Sequence, residues 1–537
     1  MSTEPPPGAG SAGMFTTPDG QRVAFTFALV SSLFLLWGFC NGMIDVMDKH
    51  FQEELHLTLA QSATVQFAHY LGYFLMSIPA GWLATRLGYK GGIIFGLLMV
   101  AAGGFWFVPA TSIAQFWAFL VGVALIASGL TFLETIANPY TTVLGDPKYA
   151  ATRINLAQSC NGIGWIFGPI AGGIFFYGKD AAGKSTGSET LYIPYAAIAV
   201  VVVVLAAVFW FAPVPDIRTR HEESPVDASA GPAGRKANRT LAYLLFLANA
   251  VALTFIVGLI LWTFIDLYKQ ADTADAAVAA WKEHGPAVRK ILLVVECVIA
   301  AVLVFALLPV YRKLPSDSMW STPHFSAATL AQFFYVAAQA GIFSFLINYM
   351  TSQTPPIPSS WASGWFKSWF ETNKDGILQF SNQGASNLAS LGFACFLAGR
   401  FTGAGLLARF SAHKMLGIYA LVNVLVCLLV FLKLGWLSVI CVFASYFFMS
   451  IMFPTIFALG IFNLGPAAKK ASAFIVMAIM GGAILPKQMG AVADHYDMSR
   501  AFIVPLGCFV LVALYGFLWP RLSGADSLRG VATTKGH

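Results

Sequence analysis

About fourteen apolar runs, most close to the length of a bilayer crossing, succeed one another along this 537-residue chain. They fall at about 23–47, 62–84, 92–109, 114–136, 154–177, 192–213, 240–265, 290–311, 325–350, 383–407, 414–432, 435–461, 472–493 and 500–519. A segment of about 20 apolar residues spans a bilayer as a helix, because lipid offers its backbone no other hydrogen-bond partner. Charged residues make up only 11% of the chain, against about 25% in soluble domains. Mean hydropathy is +0.70. The expected fold class is an all-α polytopic membrane protein, with the lipid bilayer as its first partner.

The net charge of +7 does not point to nucleic acid, since the basic residues sit in short loops between apolar runs. Such residues set orientation, being enriched on the cytoplasmic side. Alternate loops and both termini hold roughly twenty of them, against about eleven on the other side. Both termini are therefore expected in the cytoplasm. The first run contains Asp45 and is too long for a signal sequence, so it is expected to remain as the first span. The expected domains are a disordered tail (1–22), a six-helix bundle (23–213), a cytoplasmic linker (214–239), two inserted helices (240–312), a second six-helix bundle (325–521) and a tail (522–537). The seven cysteines all fall in apolar runs and show no metal-ligand spacing, so they read as small buried residues.

The two bundles repeat one another. Gly164-x4-Pro169-x3-Gly173 recurs as Gly481-x4-Pro486-x3-Gly490, and Thr135-Ile136…Leu144-Gly145 as Thr455-Ile456…Leu464-Gly465. Arg86 has a looser counterpart in Arg409, and all three pairs are displaced by roughly 320 residues. This is the parallel duplication of many transporter folds. Glu134 aligns with Pro454, so the acidic chemistry belongs to the first half alone.

Three acids lie well inside expected spans: Asp45, Glu134 and Glu296. A carboxylate at such depth costs roughly 2.5 kcal/mol or more on insertion scales. Glu134 sits among Phe132, Leu133 and Ile136, with Asn138 one turn on along the same face. It is either a proton- or substrate-handling group in a cavity or a glutamate near a helix end that reaches water. Asn41 and Asp45 share a face, with Asp48 expected at the outer boundary. Asn155, Gln158 and Asn161 form a face of amides, which match the hydroxyls of a polyhydroxylated ligand or glue helices together. Gln339 is a weaker candidate in the second half, and Trp37 offers a ring on which a sugar could stack. Glu296 lies outside the repeat and reads more readily as part of a structural ion pair.

No phosphate-binding loop, ATPase domain or nucleophile motif is present in a site-like context. No enzyme activity, no metal and no cofactor is therefore expected.

Gly81-Trp82-Leu83-Ala84-Thr85-Arg86-Leu87-Gly88-Tyr89-Lys90 resembles the loop motif of the major facilitator superfamily, with Thr85 in place of the usual acid. Leu133-Glu134-Thr135-Ile136-Ala137-Asn138-Pro139-Tyr140, Asn155-Leu156-Ala157-Gln158-Ser159-Cys160-Asn161-Gly162, Gly399-Arg400-Phe401-Thr402-Gly403 and Met452-Phe453-Pro454-Thr455-Ile456-Phe457 resemble the fucose–proton symporter family, which includes glucose/galactose permeases. That resemblance implies a major facilitator fold of two six-helix bundles, with the inserted pair as a departure. It also implies alternating access and symport of a monosaccharide with protons across the cytoplasmic membrane, by a chain expected to be a monomer. By motif position, it assigns Asp45 and Glu134 to proton coupling, and Asn41, Gln158 and Asn161 to the polar cavity. The sequence leaves the sugar open among fucose, galactose, glucose and N-acetylglucosamine, and leaves sodium coupling and a non-transporting sugar sensor as alternatives.

Overall fold

The computed structural model describes residues 14–16, 22–54, 57–145, 150–177, 191–214, 239–270, 275–315, 318–362, 364–372, 376–407, 410–462, 464 and 468–525. Most of the expected tails and linker, and Arg409 of the looser repeat pair, lie outside the described residues. The apolar runs form helices: α1 Ala24–Glu54, α2 Thr64–Ile113, α3 Phe116–Val143, α4 Ala150–Phe176, α5 Tyr192–Phe211, α6 Arg239–Gln270, α7 Asp275–Arg312, α8 Pro323–Ser344, α9 Leu346–Ser352, α10 Asn382–Leu407, α11 Ala412–Phe431, α12 Trp436–Met449, α13 Met452–Ile461, α14 Ala468–Met477, α15 Gly481–His495 and α16 Ile503–Ser523.

Twelve helices among the described residues are long and apolar enough to cross a membrane, or thirteen if α8 and α9, bent by 45° at their junction, form one span. The expected count of about fourteen is not confirmed. The difference lies at the run expected over 62–84, where α2 continues through a bend and only Arg86–Ile113 qualifies as a span. The bend is at Gly88, whose φ of 69° lies in the left-handed region open to glycine. The segment before it carries Gln66, His69, Tyr70 and Tyr73. A second difference is a small hairpin, in which β1 (Phe370–Thr372) pairs antiparallel with β2 (Leu378–Phe380), Phe370 opposite Phe380. The apolar runs bound this stretch without foretelling it.

The chain divides into two compact units, Met1–Pro225 with Phe343–Ala398, and Val226–Ile342 with Gly399–His537. In the first, α1 packs along α4, and α2 along α3 and α5. Gly164 lets α4 lie on the α1 backbone, since a Cβ there would meet the Leu35 carbonyl and the Phe39 amide. In the second unit, Gly481 of α15 meets the Phe333 carbonyl of α8 in the same way. The repeated glycines thus occupy matching contacts, each within its own unit. Also in the second unit, α6 and α7 pair with each other. Asn249 joins α6 to α8, donating to the Ser326 carbonyl at 2.8 Å and accepting from Thr329 Oγ1 at 2.6 Å. Arg289 and Glu296 of α7 form an ion pair of 2.5 Å, with the carboxyl lodged against Gly258 of α6.

Candidate functional site

In the first unit, the polar residues of four helices converge inside an otherwise apolar bundle. Helix α1 supplies Trp37, Asn41, Asp45 and Asp48, at the three- and four-residue steps that keep side chains on one face. Helix α2 supplies Gln66, His69 and Tyr73, helix α3 supplies Glu134 and Asn138, and helix α4 supplies Gln158 and Asn161. The close crossing of α1 and α4 at Gly38 brings the Asn161 backbone and Trp165 onto α1.

These side chains are tied together pairwise. Gln66 Nε2 donates to Asp45 Oδ1 at 3.0 Å. The Trp37 indole donates to the Tyr73 hydroxyl, which also meets the Asn41 amide. Gln158 Nε2 donates to Asn138 Oδ1 at 3.1 Å. Asn161 Nδ2 reaches the Phe34 carbonyl at 3.4 Å, so its amide also links α4 to α1. Glu134 is half-buried and within electrostatic reach of Tyr73. Its helix continues to Val143, so Glu134 lies in the helix interior and not near an end. Trp165 packs on Phe393 at 4.7 Å and on Phe343 at 5.6 Å between ring centroids, which gives the polar group an aromatic border.

Of the residues singled out in the sequence, the structure gathers Trp37, Asn41, Asp45, Glu134, Asn138, Gln158 and Asn161 in one unit. The Asn155 side chain lies outside the described residues. Gln339 belongs to α8 of the second unit, where it is half-buried. Asp48, expected at the outer boundary, is wholly buried on a helix that runs on to Glu54. Gln66 and Tyr73 were not foreseen. Their signal was the spacing Gln66, His69, Tyr73 along one face of an apolar run.

The arrangement offers amide donors and acceptors, aromatic rings and carboxyls, of which Asn41, Asp45 and Asn161 are buried and Trp37, Glu134, Asn138 and Gln158 are half-buried. The set suits a small polyhydroxylated ligand beside groups that exchange protons. The model of the Major Facilitator Superfamily matches residues 27–370. The chain is similar to the L-fucose-proton symporter of Escherichia coli, at 30% identity over 91% of this chain and 92% of that protein. It is also similar to the glucose/galactose transporter of Brucella abortus, at 26% identity over 94% and 96%. Among solved structures it resembles a major facilitator transporter, FucP, in the outward conformation, with 29% identity, a TM-score of 0.55, and coverage of 92% of this chain and 99% of that one. These findings define a class, the polytopic membrane transporters. Within it, the chain belongs to the major facilitator superfamily.

Proposed function

We propose that this protein imports a monosaccharide by symport with protons, through alternating access, across the cytoplasmic membrane. The observation that carries the reading is the juxtaposition of Glu134 and Asp45 with the amides Asn41, Asn138, Gln158 and Asn161 inside one apolar unit. In this reading the Gln158–Asn138 pair opens to receive sugar hydroxyls, and Trp37 offers a face for the ring. Glu134 takes up and releases the coupling proton, and Asp45, fixed by Gln66, governs access from the outer end of α1. The curated relatives named for fucose–proton symport and for glucose and galactose transport support the substrate class. The chain works as a monomer with both termini in the cytoplasm.

Coupling requires that proton and sugar bias the same conformational equilibrium. The test is uptake of labelled sugar into proteoliposomes holding the purified protein. A panel of unlabelled fucose, galactose, glucose and N-acetylglucosamine identifies the substrate by competition. Accumulation should follow an imposed proton gradient in sodium-free buffer. Accumulation that follows a sodium gradient alone would replace protons by sodium, and saturable binding without accumulation would make the protein a sensor.

A further inference from the structure

Asp45 and Asp48 are three residues apart on α1, which places them on one face with Cβ atoms about 5–6 Å apart. Asp45 is 6% exposed and Asp48 0%. Asp45 Oδ1 accepts from Gln66, and the other three carboxylate oxygens of the pair have no hydrogen-bond partner. Ser344 and Gln66 come close to Asp48 but stand outside hydrogen-bond geometry, and Ser344 Oγ, also buried, has no partner.

The groups around the pair do not neutralise it. From α2 come Gln66 and His69, whose ring packs on Tyr70 and Tyr73. From the end of α4 and from α5 come Tyr177 and Tyr195, whose hydroxyls are spent on the Val46 carbonyl and the Met47 sulfur. On α1 itself, His50 packs against Phe51 and Phe176, and Lys49 pairs with Glu53. Among the described residues no Lys or Arg is paired with either acid, and no group of three or more His, Cys, Asp and Glu gathers to hold a metal ion.

Two carboxylates so close and so dry cannot both carry a charge. A proton on one carboxyl cures both defects: it removes a like charge and converts one of the unmatched acceptors into a donor, aimed at the other carboxyl or at Ser344 Oγ. We propose that Asp48, to which the family resemblance assigns no role, shares a proton with Asp45, so that the two act as one carboxyl pair. The pair holds its proton while this end of α1 is buried and gives it up when water reaches it. Its use in transport rests on the proton-symport reading above, whereas its existence does not.

Infrared difference spectra between acidic and alkaline buffers test the site without any transport. They are recorded on purified Glu134→Gln protein, and the signal of the pair is the part that a further substitution at Asp45 or Asp48 subtracts, since the other carboxyls of the chain titrate alike in every variant. A protonated-carboxyl C=O band should appear at low pH and titrate away at high pH. The pair's part of that band should be lost in Glu134→Gln/Asp48→Asn and in Glu134→Gln/Asp45→Asn. Should one double variant fail to fold, the other still reads the pair. A band unchanged by both second substitutions overturns the proposal. A band abolished by sodium chloride, but not by choline chloride, overturns it in favour of a bound cation. In proteoliposomes, Asp48→Asn should flatten the pH dependence of sugar exchange while Glu134 remains intact. An unaltered pH profile would remove the pair from the transport cycle but leave the infrared result standing.

Discussion

Single residues carry the specificity in this account, and Gln158 is the most direct probe of it. Its amide is held by Asn138 and half-buried, so it is poised to exchange that partner for a sugar hydroxyl. Gln158→Ala should weaken sugar binding by about 1–3 kcal/mol, roughly five- to 150-fold in Kd. Equilibrium binding to the purified variant measures this, and unchanged affinity would assign Gln158 to helix packing. Asp497 provides a pH test outside the spans. Burial pulls its carboxyl upward, but the hydrogen bond from Lys433 at 2.7 Å, the backbone N–H of Arg500 and both positive charges outweigh it and hold it below its ordinary value. A lowered carboxyl contributes stability that is full above its unfolded value of about 3.9 and is lost as pH falls through its folded value. With Lys433 half-exposed, the contribution is below about 1 kcal/mol. The melting gap between wild type and Asp497→Asn should therefore close on acidification, and a gap independent of pH would contradict this origin. Residue types and spacings made Asn41, Asp45, Glu134 and Gln158 visible in the sequence. The burial of Asp48 was not visible, because hydropathy does not show the extra turns of α1 beyond the apolar run. The Gln66–Asp45 bond was invisible because it joins two helices.

At the scale of elements, apolar periodicity located most helices, but their ends and breaks follow from contacts that sequence does not display. Gly88 hides a bend inside α2, and the α8–α9 break at Phe345 carries no proline or glycine. Arg153, at the start of α4, is wholly buried. It donates to the carbonyls of Thr141, Met14 and Gly145. Lys90 caps the end of α5 by donating to the Ala212 carbonyl at 2.9 Å. The inserted helices α6 and α7 are largely exposed, hold each other through hydrogen bonds from Trp281 to Asp266 and from Tyr243 to the Val304 carbonyl, and meet α8 through Asn249. They supply none of the polar residues of the candidate site. Replacing 240–311 by a flexible linker that keeps both flanks cytoplasmic should therefore leave a folded protein with sugar affinity within about threefold of wild type, the size of a minor contact. Loss of binding by a correctly inserted protein would give these helices a part in the site.

For the whole molecule, duplication and charge bias set the expected architecture, and the glycine contacts at Gly164 and Gly481 repeat it in three dimensions. Orientation is tested by adding single cysteines to a background without the native ones. A membrane-impermeant thiol reagent applied to intact cells should label Thr273→Cys and spare Ser224→Cys, and the reverse pattern would invert the topology. The central claim is that Glu134 couples a proton gradient to sugar movement. A potential of 100 mV supplies roughly 2.3 kcal/mol per charge, enough for about fiftyfold accumulation at one proton per sugar. Glu134→Gln preserves the shape of the side chain but cannot titrate. The decisive measurement is sugar accumulation in proteoliposomes under an imposed proton gradient, wild type beside Glu134→Gln. Wild type should concentrate the sugar, while the variant should exchange it across the membrane and concentrate none. Undiminished gradient-driven accumulation by Glu134→Gln would contradict the account.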